Sequence, residues 1–238
     1  MDSILTSKAK QTMMRFMIYL MIGLTAVLTS CSKDEPDQQM PAVIAFSVIN
    51  TSPDAGDLDF FFDNQQANSN GFGYLQKVGY FGSYAGNKRL VVKVPGLGQQ
   101  LLAQTVALEG DRSYSFFIAG KRASLEYVIT RDDLTPPAPG KTKIRFVNLS
   151  PDAAAVDLLI NANPAVFSSQ AYKSYTDFVE VDAATVNISL RNSGNGDINA
   201  TLPGFKFEAT KIYTIYAKGL NSETTGEKKF GIEVLTSL

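Results

Sequence analysis

The sequence predicts an all-β chain built as two tandem immunoglobulin-like β-sandwich domains behind an export segment. Three observations carry this. Apolar runs of strand length, rich in Val, Ile, Phe and Tyr, are bounded by Gly, Pro, Asn and Asp. Past the first 41 residues no segment sustains an apolar 3.6-residue period over three turns, so helix has little support. The pattern then occurs twice, and six or seven short strands in about 100 residues suit a sandwich whose two sheets turn apolar faces inward.

In the first copy, strands are expected at 43–49, 58–62, 90–94, 101–108, 114–118 and 125–129. The second copy repeats them at 143–147, 156–160, 186–190, 198–202, 212–217 and 230–235. The duplication is read from matched residues. Asn50-Thr51-Ser52-Pro53-Asp54-Ala55 recurs as Asn148-Leu149-Ser150-Pro151-Asp152-Ala153, and Leu58-Asp59-Phe60-Phe61-Phe62 as Val156-Asp157-Leu158-Leu159-Ile160. Glu109, Tyr114 and Gly120 match Glu208, Tyr213 and Gly219 in spacing; Tyr80 to Tyr84 and Tyr172 to Tyr175 give a looser match with a one-residue length change. Between the copies, Thr135-Pro136-Pro137-Ala138-Pro139-Gly140 reads as a short semi-rigid linker, because proline removes donors and stiffens the chain. The expected domains are therefore 42–134 and 142–238, joined by 135–141.

The Ser-Pro-Asp-Ala turn has its own physical account: proline presets φ at the first central position, and the following Asp bonds nearby backbone groups. Its recurrence argues for scaffold as readily as for function. The whole pattern, Arg or Ser and apolar residues leading into Asn-x-Ser-Pro-Asp-Ala, a strand with an internal Asp, a Tyr-rich middle and a closing Tyr strand, resembles the domain-of-unknown-function family 4397. The second copy, with Arg145-Phe146-Val147-Asn148, fits better than the first, which has Phe46-Ser47-Val48-Ile49. The resemblance implies an Ig-like sandwich in an envelope lipoprotein, of undefined ligand and with no catalytic residues attached.

The first 30 residues read as a signal peptide: Lys8, Lys10 and Arg15 precede an apolar stretch, 16–28, that is shorter than the roughly 20 residues a spanning helix needs. Leu28-Thr29-Ser30-Cys31 resembles a bacterial lipobox, which implies cleavage before Cys31 and a diacylglycerol on its thiol, with residues 31–41 as tether. Two or more acyl chains anchor a protein stably, so the membrane is an expected partner. Ser32-Lys33-Asp34-Glu35 resembles the export tag of surface lipoproteins, pointing to the outer membrane and the cell surface.

Composition excludes much chemistry. The chain has no His, no Trp and one Cys. With that Cys assigned to lipid, the mature chain lacks the means for a Ser-His-Asp or Cys-His nucleophile or a zinc site of nitrogen and sulfur ligands. A net charge of −1 gives no basic footprint for nucleic acid. No cofactor is expected, and the chain is not read as an enzyme.

Two groups are candidates for binding. Tyr74, Tyr80 and Tyr84 in the first copy and Tyr172 and Tyr175 in the second offer apolar faces with polar tips, suited to stacking on sugar rings or anchoring a protein; packing over a sandwich edge is the competing use. Asp57, Asp59 and Asp63 alternate as one strand face would, and with Asp54 they form the weak candidate for Ca²⁺ or for a carboxylate pair acting on a glycoside. A Ca²⁺ loop also wants a ligand spacing and turn glycine not matched here. The triplets Phe60-Phe61-Phe62 and Leu158-Leu159-Ile160 are apolar on both faces and require cover. The expected function is a lipid-anchored envelope protein binding an extracellular glycan or protein partner. The alternatives are an assembly subunit of an outer-membrane protein complex and, third, a carboxylate-based glycan hydrolase.

Overall fold

The computed structural model describes residues 42–161 and 164–237; Cys31, the signal peptide and the tether 31–41 lie outside the described residues. Sixteen strands follow one another: β1 (Val43–Asn50), β2 (Asp59–Phe62), β3 (Gln65–Gln66), β4 (Lys77–Tyr84), β5 (Gly86–Lys93), β6 (Gln100–Leu108), β7 (Arg112–Ala119), β8 (Glu126–Asp132), β9 (Lys141–Asn148), β10 (Val156–Ile160), β11 (Phe167–Gln170), β12 (Val179–Asp182), β13 (Thr185–Asn192), β14 (Ile198–Lys206), β15 (Ile212–Lys218) and β16 (Gly231–Thr236). They form four four-stranded sheets, two from each copy, ordered β4-β1-β7-β8 and β3-β2-β5-β6, then β12-β9-β15-β16 and β11-β10-β13-β14. The protein is thus two tandem β-sandwiches.

Within each sandwich the pleat assigns the core. Phe46 and Val48 on β1, Phe60 and Phe62 on β2, Leu90 and Val92 on β5, and Tyr114, Phe116 and Ile118 on β7 meet in the first core. Ile144, Phe146, Leu158, Ile188, Tyr213 and Ile215 do the same in the second. Alternate residues on the same strands point the other way and are buried as well. Ile49, Phe117 and Val128 of the first copy pack with Val147, Leu149 and Tyr216 of the second in a third apolar cluster, with the Phe117 and Tyr216 rings 6.0 Å apart. The sheets containing β7 and β15 therefore lie between two apolar layers each. That explains their near-continuous apolar sequences, since a strand covered on both faces loses polar alternation.

Phe61, the outward member of its triplet, is covered differently: the Lys93 ammonium sits 4.3 Å from its ring centroid. Each copy also closes on the same corner, where the Glu109 amide donates to the Tyr114 hydroxyl at 3.0 Å and the Glu208 amide to the Tyr213 hydroxyl at 3.2 Å.

Three features depart from the sequence reading. In each copy the first strand pairs in parallel with the seventh, β1 with β7 and β9 with β15, where an immunoglobulin sandwich is antiparallel. Four strands, β3, β4, β11 and β12, go unread. They are short, half-exposed or broken by unusual backbone, such as Gly79 at φ 91° in β4 and Ser169 at φ 54° in β11. The loose tyrosine match also shifts register. The Leu75 and Lys173 amides donate to the Asn50 and Asn148 carbonyls, at 2.7 and 2.8 Å, and both residues have positive φ. Tyr74 is thus the counterpart of Tyr172, and Lys77 that of Tyr175.

Candidate functional site

Residues 106–108 at the end of β6, the start of β7, the end of β8, the segment 133–136 and the loop 175–178 enclose an open cleft of about 1330 Å³. Tyr175 stands on its rim, 52% exposed. Asp111, Arg112 and Asp177 are exposed on its wall and make no side-chain hydrogen bond among the described residues. Arg131 pairs with Glu109, and Asp133 accepts from Lys143 at 2.7 Å and from Thr135. The Lys143 hydrogen bond leads in holding the Asp133 carboxyl at about 2. The floor is fixed by Asp132, whose Oδ1 accepts from Arg145 at 2.6 Å and whose Oδ2 accepts from Ser115 at 2.8 Å and Tyr80 at 3.0 Å. Arg145 continues to Thr214 and the Arg131 carbonyl and stacks on Phe178, 4.6 Å from its centroid.

The five candidate tyrosines separate into different environments. Tyr80 is committed to Asp132, and burial first, then that carboxylate, pushes its phenol well above the usual range. Tyr172 donates to Glu126 at 2.9 Å across the two copies, and its phenol is likewise raised, by burial and then by Glu126. Tyr74 reaches the other way, toward Lys218, with its hydroxyl buried and unpartnered. Burial and then Glu227 raise it, and the Gly219 backbone opposes that rise without reaching hydrogen-bond geometry. Tyr84 is 58% exposed at the end of β4, beside Val43 and outside the cleft. Only Tyr175 lines the cleft.

The aspartate set does not assemble. The strand is interrupted: β2 begins at Asp59, Asp57 precedes it, and Asp63 follows it at φ 55°, so the expected common face is lost. Asp59 accepts from Asn68 at 3.1 Å; Asp63 accepts from the Arg89 amide at 2.9 Å and from Lys88 at 3.3 Å. Among the described residues no group of three or more His, Cys, Asp or Glu is placed to hold a metal. Asp54 and its counterpart Asp152 do equivalent work elsewhere: they accept from the Arg122 and Asn221 amides, at 2.7 and 2.6 Å, and tie the Ser-Pro-Asp-Ala turn to the loop after β7 or β15.

The cleft residues Asp111, Arg112, Asp177 and Phe178 were not singled out from sequence. Exposed charges in turn segments carry no signal that distinguishes them from a solvated surface; only the fold brings them together.

The strand pairing defines a class, the duplicated β-sandwich with a parallel pair inside each first sheet. Residues 45–159 match the model of the family described as Domain of unknown function (DUF4397). That stretch runs from β1 through the first sandwich to β10. No curated protein matches the chain. Among solved structures, the crystal structure of CBMbc (family CBM26) from Eubacterium rectale Amy13K in complex with maltoheptaose is similar at 12% identity and TM-score 0.27. It covers 82% of this chain and 97% of that one. A second, described as α-glucan binding by a streptococcal virulence factor, is 11% identical at TM-score 0.25, covering 74% and 92%.

Proposed function

We propose that this is a lipid-anchored, non-enzymatic protein of the cell envelope, exposed at the outer surface, that binds an extracellular glycan in the cleft beside Tyr175. The observation that carries this reading is the cleft itself. It combines one exposed aromatic ring with carboxylate and guanidinium groups that have no side-chain partner among the described residues. Sugars present apolar ring faces and many hydroxyls, so a site for them needs a flat ring to stack on and polar groups free to exchange water for hydroxyl. Tyr175, Arg112, Asp111 and Asp177 supply that set. The membrane part of the reading rests on Cys31 and its flanking sequence.

The test is calorimetric titration of the mature, lipid-free chain with a panel of soluble polysaccharides. Saturable binding is expected, weakened about tenfold, or roughly 1.4 kcal/mol, by Tyr175→Ala or Arg112→Ala, and undiminished by Tyr84→Ala. A folded sample that binds no polysaccharide overturns the glycan reading and favours a protein partner. Labelling with radioactive palmitate, lost in Cys31→Ala, tests the anchor, and protease treatment of intact cells tests surface exposure.

A further inference from the structure

Among the described residues the four sheets present eight edge strands, and seven carry a feature that discourages pairing with another chain along their length. β3 has two residues. β11 is short and distorted at Ser169, and β12 is four residues with two acids. β8 carries Glu126, Arg131 and Asp132, and β16 carries Glu233. β4 has Lys77 and a register break beside Gly79. β14, the direct counterpart of β6, contains Pro203, Gly204 and Lys206.

The exception is β6, Gln100-Leu101-Leu102-Ala103-Gln104-Thr105-Val106-Ala107-Leu108. It has nine residues with no charge, no proline and no glycine; its one register shift lies at Leu101 near its start, and from Leu102 to Leu108 it pairs in unbroken register with β5, along one side only among the described residues. Such an edge presents a row of unpaired backbone donors and acceptors, and natural sheets normally blunt it with charge, proline or a bulge.

We infer that the free edge of β6 pairs antiparallel with β6 of a second copy of this chain, about a two-fold axis at Gln104. The sequence is self-complementary in that register. Over the regular part of the strand, Leu102 falls opposite Val106, Ala103 opposite Thr105, and the Gln104 amide meets its own copy. No like charges oppose. Leu101, Leu102 and Val106 are packed against the core only in part, and a strand added beside them completes their cover. A two-fold contact of one patch with itself also closes, so it yields a dimer and no filament. The inference rests on the strand edge and not on glycan binding, although Val106 and Ala107 also line the cleft, so the pairing and the proposed sugar site share the end of β6.

Residues directly opposite in an antiparallel pair have Cα atoms about 4.5–5.5 Å apart, within disulfide reach. Gln104→Cys in the full chain is therefore expected to give a covalent dimer under mild oxidation, whereas Gln65→Cys on β3 gives none. Adding Ala103→Lys and Thr105→Lys, which set lysines opposite each other, abolishes the cross-link and converts the parent chain from dimer to monomer in sedimentation velocity. A parent chain that sediments as a monomer, or a Gln104→Cys cross-link no stronger than that of Gln65→Cys, overturns the inference. Circular dichroism matching the parent shows that the lysine variant is folded. If it is not, the cross-linking contrast and the mass of the parent chain decide alone.

Discussion

Arg145 of the second copy and Asp132 of the first form an ion pair at 2.6 Å between Nη2 and Oδ1, with side chains 1% and 0% exposed. Ionised groups so deeply buried are tolerated only when further hydrogen bonds satisfy them. Here Ser115, Tyr80, Thr214 and the Arg131 carbonyl do so. Arg145→Met alone leaves Asp132 uncompensated and is expected to cost about 3–5 kcal/mol in urea unfolding. The double change Arg145→Met with Asp132→Leu should recover most of that loss, because a buried pair replaced by apolar groups is often neutral. A loss below about 1 kcal/mol for the single variant would sink the account.

The duplication was legible because scaffold residues repeat: Asn50 and Asn148, Asp54 and Asp152, Tyr114 and Tyr213. What joins the copies was not. Ser47 occupies the place of Arg145, and it reaches only the Ser115 hydroxyl, at 3.4 Å. The ion pair therefore exists once, and a comparison of repeats shows only that one copy departs from the pattern. The tyrosine register was misread for a related reason. Tyr74 and Tyr172 follow loops of different composition, so their equivalence is visible only through the backbone bonds of Leu75 and Lys173. The cleft depends on side chains from both copies, which no local pattern brings together.

Tyr74 and Tyr172 are equivalent in the fold yet unlike in bonding. Tyr172→Phe removes a hydrogen bond to a carboxylate that Lys173 also engages, and should cost about 1.5 kcal/mol. Tyr74→Phe removes a buried hydroxyl without a partner and should be neutral or stabilising. Urea midpoints of the two variants decide this, and equal losses would contradict the assignment.

Acid should destabilise the protein through particular carboxylates. Burial alone would raise Asp157, but the Ser193 hydroxyl, the Ser169 amide and Arg191 outweigh it and hold the carboxyl below its ordinary value. Asp152 is held low in the same way, burial being outweighed by the Asn221 and Ser222 bonds. A carboxyl depressed in the folded state contributes stability that is present above its unfolded value and lost as pH falls through the folded one. With Asp133 at about 2, the loss should extend from near pH 4 down to pH 2. The chain has no His, so stability should be nearly flat between about pH 5 and 8. Asp157→Asn should be less stable than wild type at pH 7, and the gap between their urea midpoints should narrow as pH approaches 2.

Gly120 and Gly219 end β7 and β15 at φ 87° and 76°, and each faces a carbonyl that a Cβ would strike. At Gly120 the obstacle is the Ser124 carbonyl; at Gly219 it is the Lys229 carbonyl and that of Lys228, 2.6 Å away. Alanine with positive φ costs about 1–2 kcal/mol from its own backbone. Gly56, at φ 75° with nothing within 4 Å, isolates that part. Gly56→Ala should therefore lose about 1 kcal/mol, and both Gly120→Ala and Gly219→Ala should lose more, because backbone carbonyls must also move. The Tyr172 hydroxyl would stand 3.5 Å from the Cβ at Gly120, an ordinary van der Waals contact, so the strain there falls on the Ser124 backbone. Thermal unfolding of the three variants orders them, and a Gly120→Ala midpoint equal to that of Gly56→Ala would show that the hairpin absorbs the side chain.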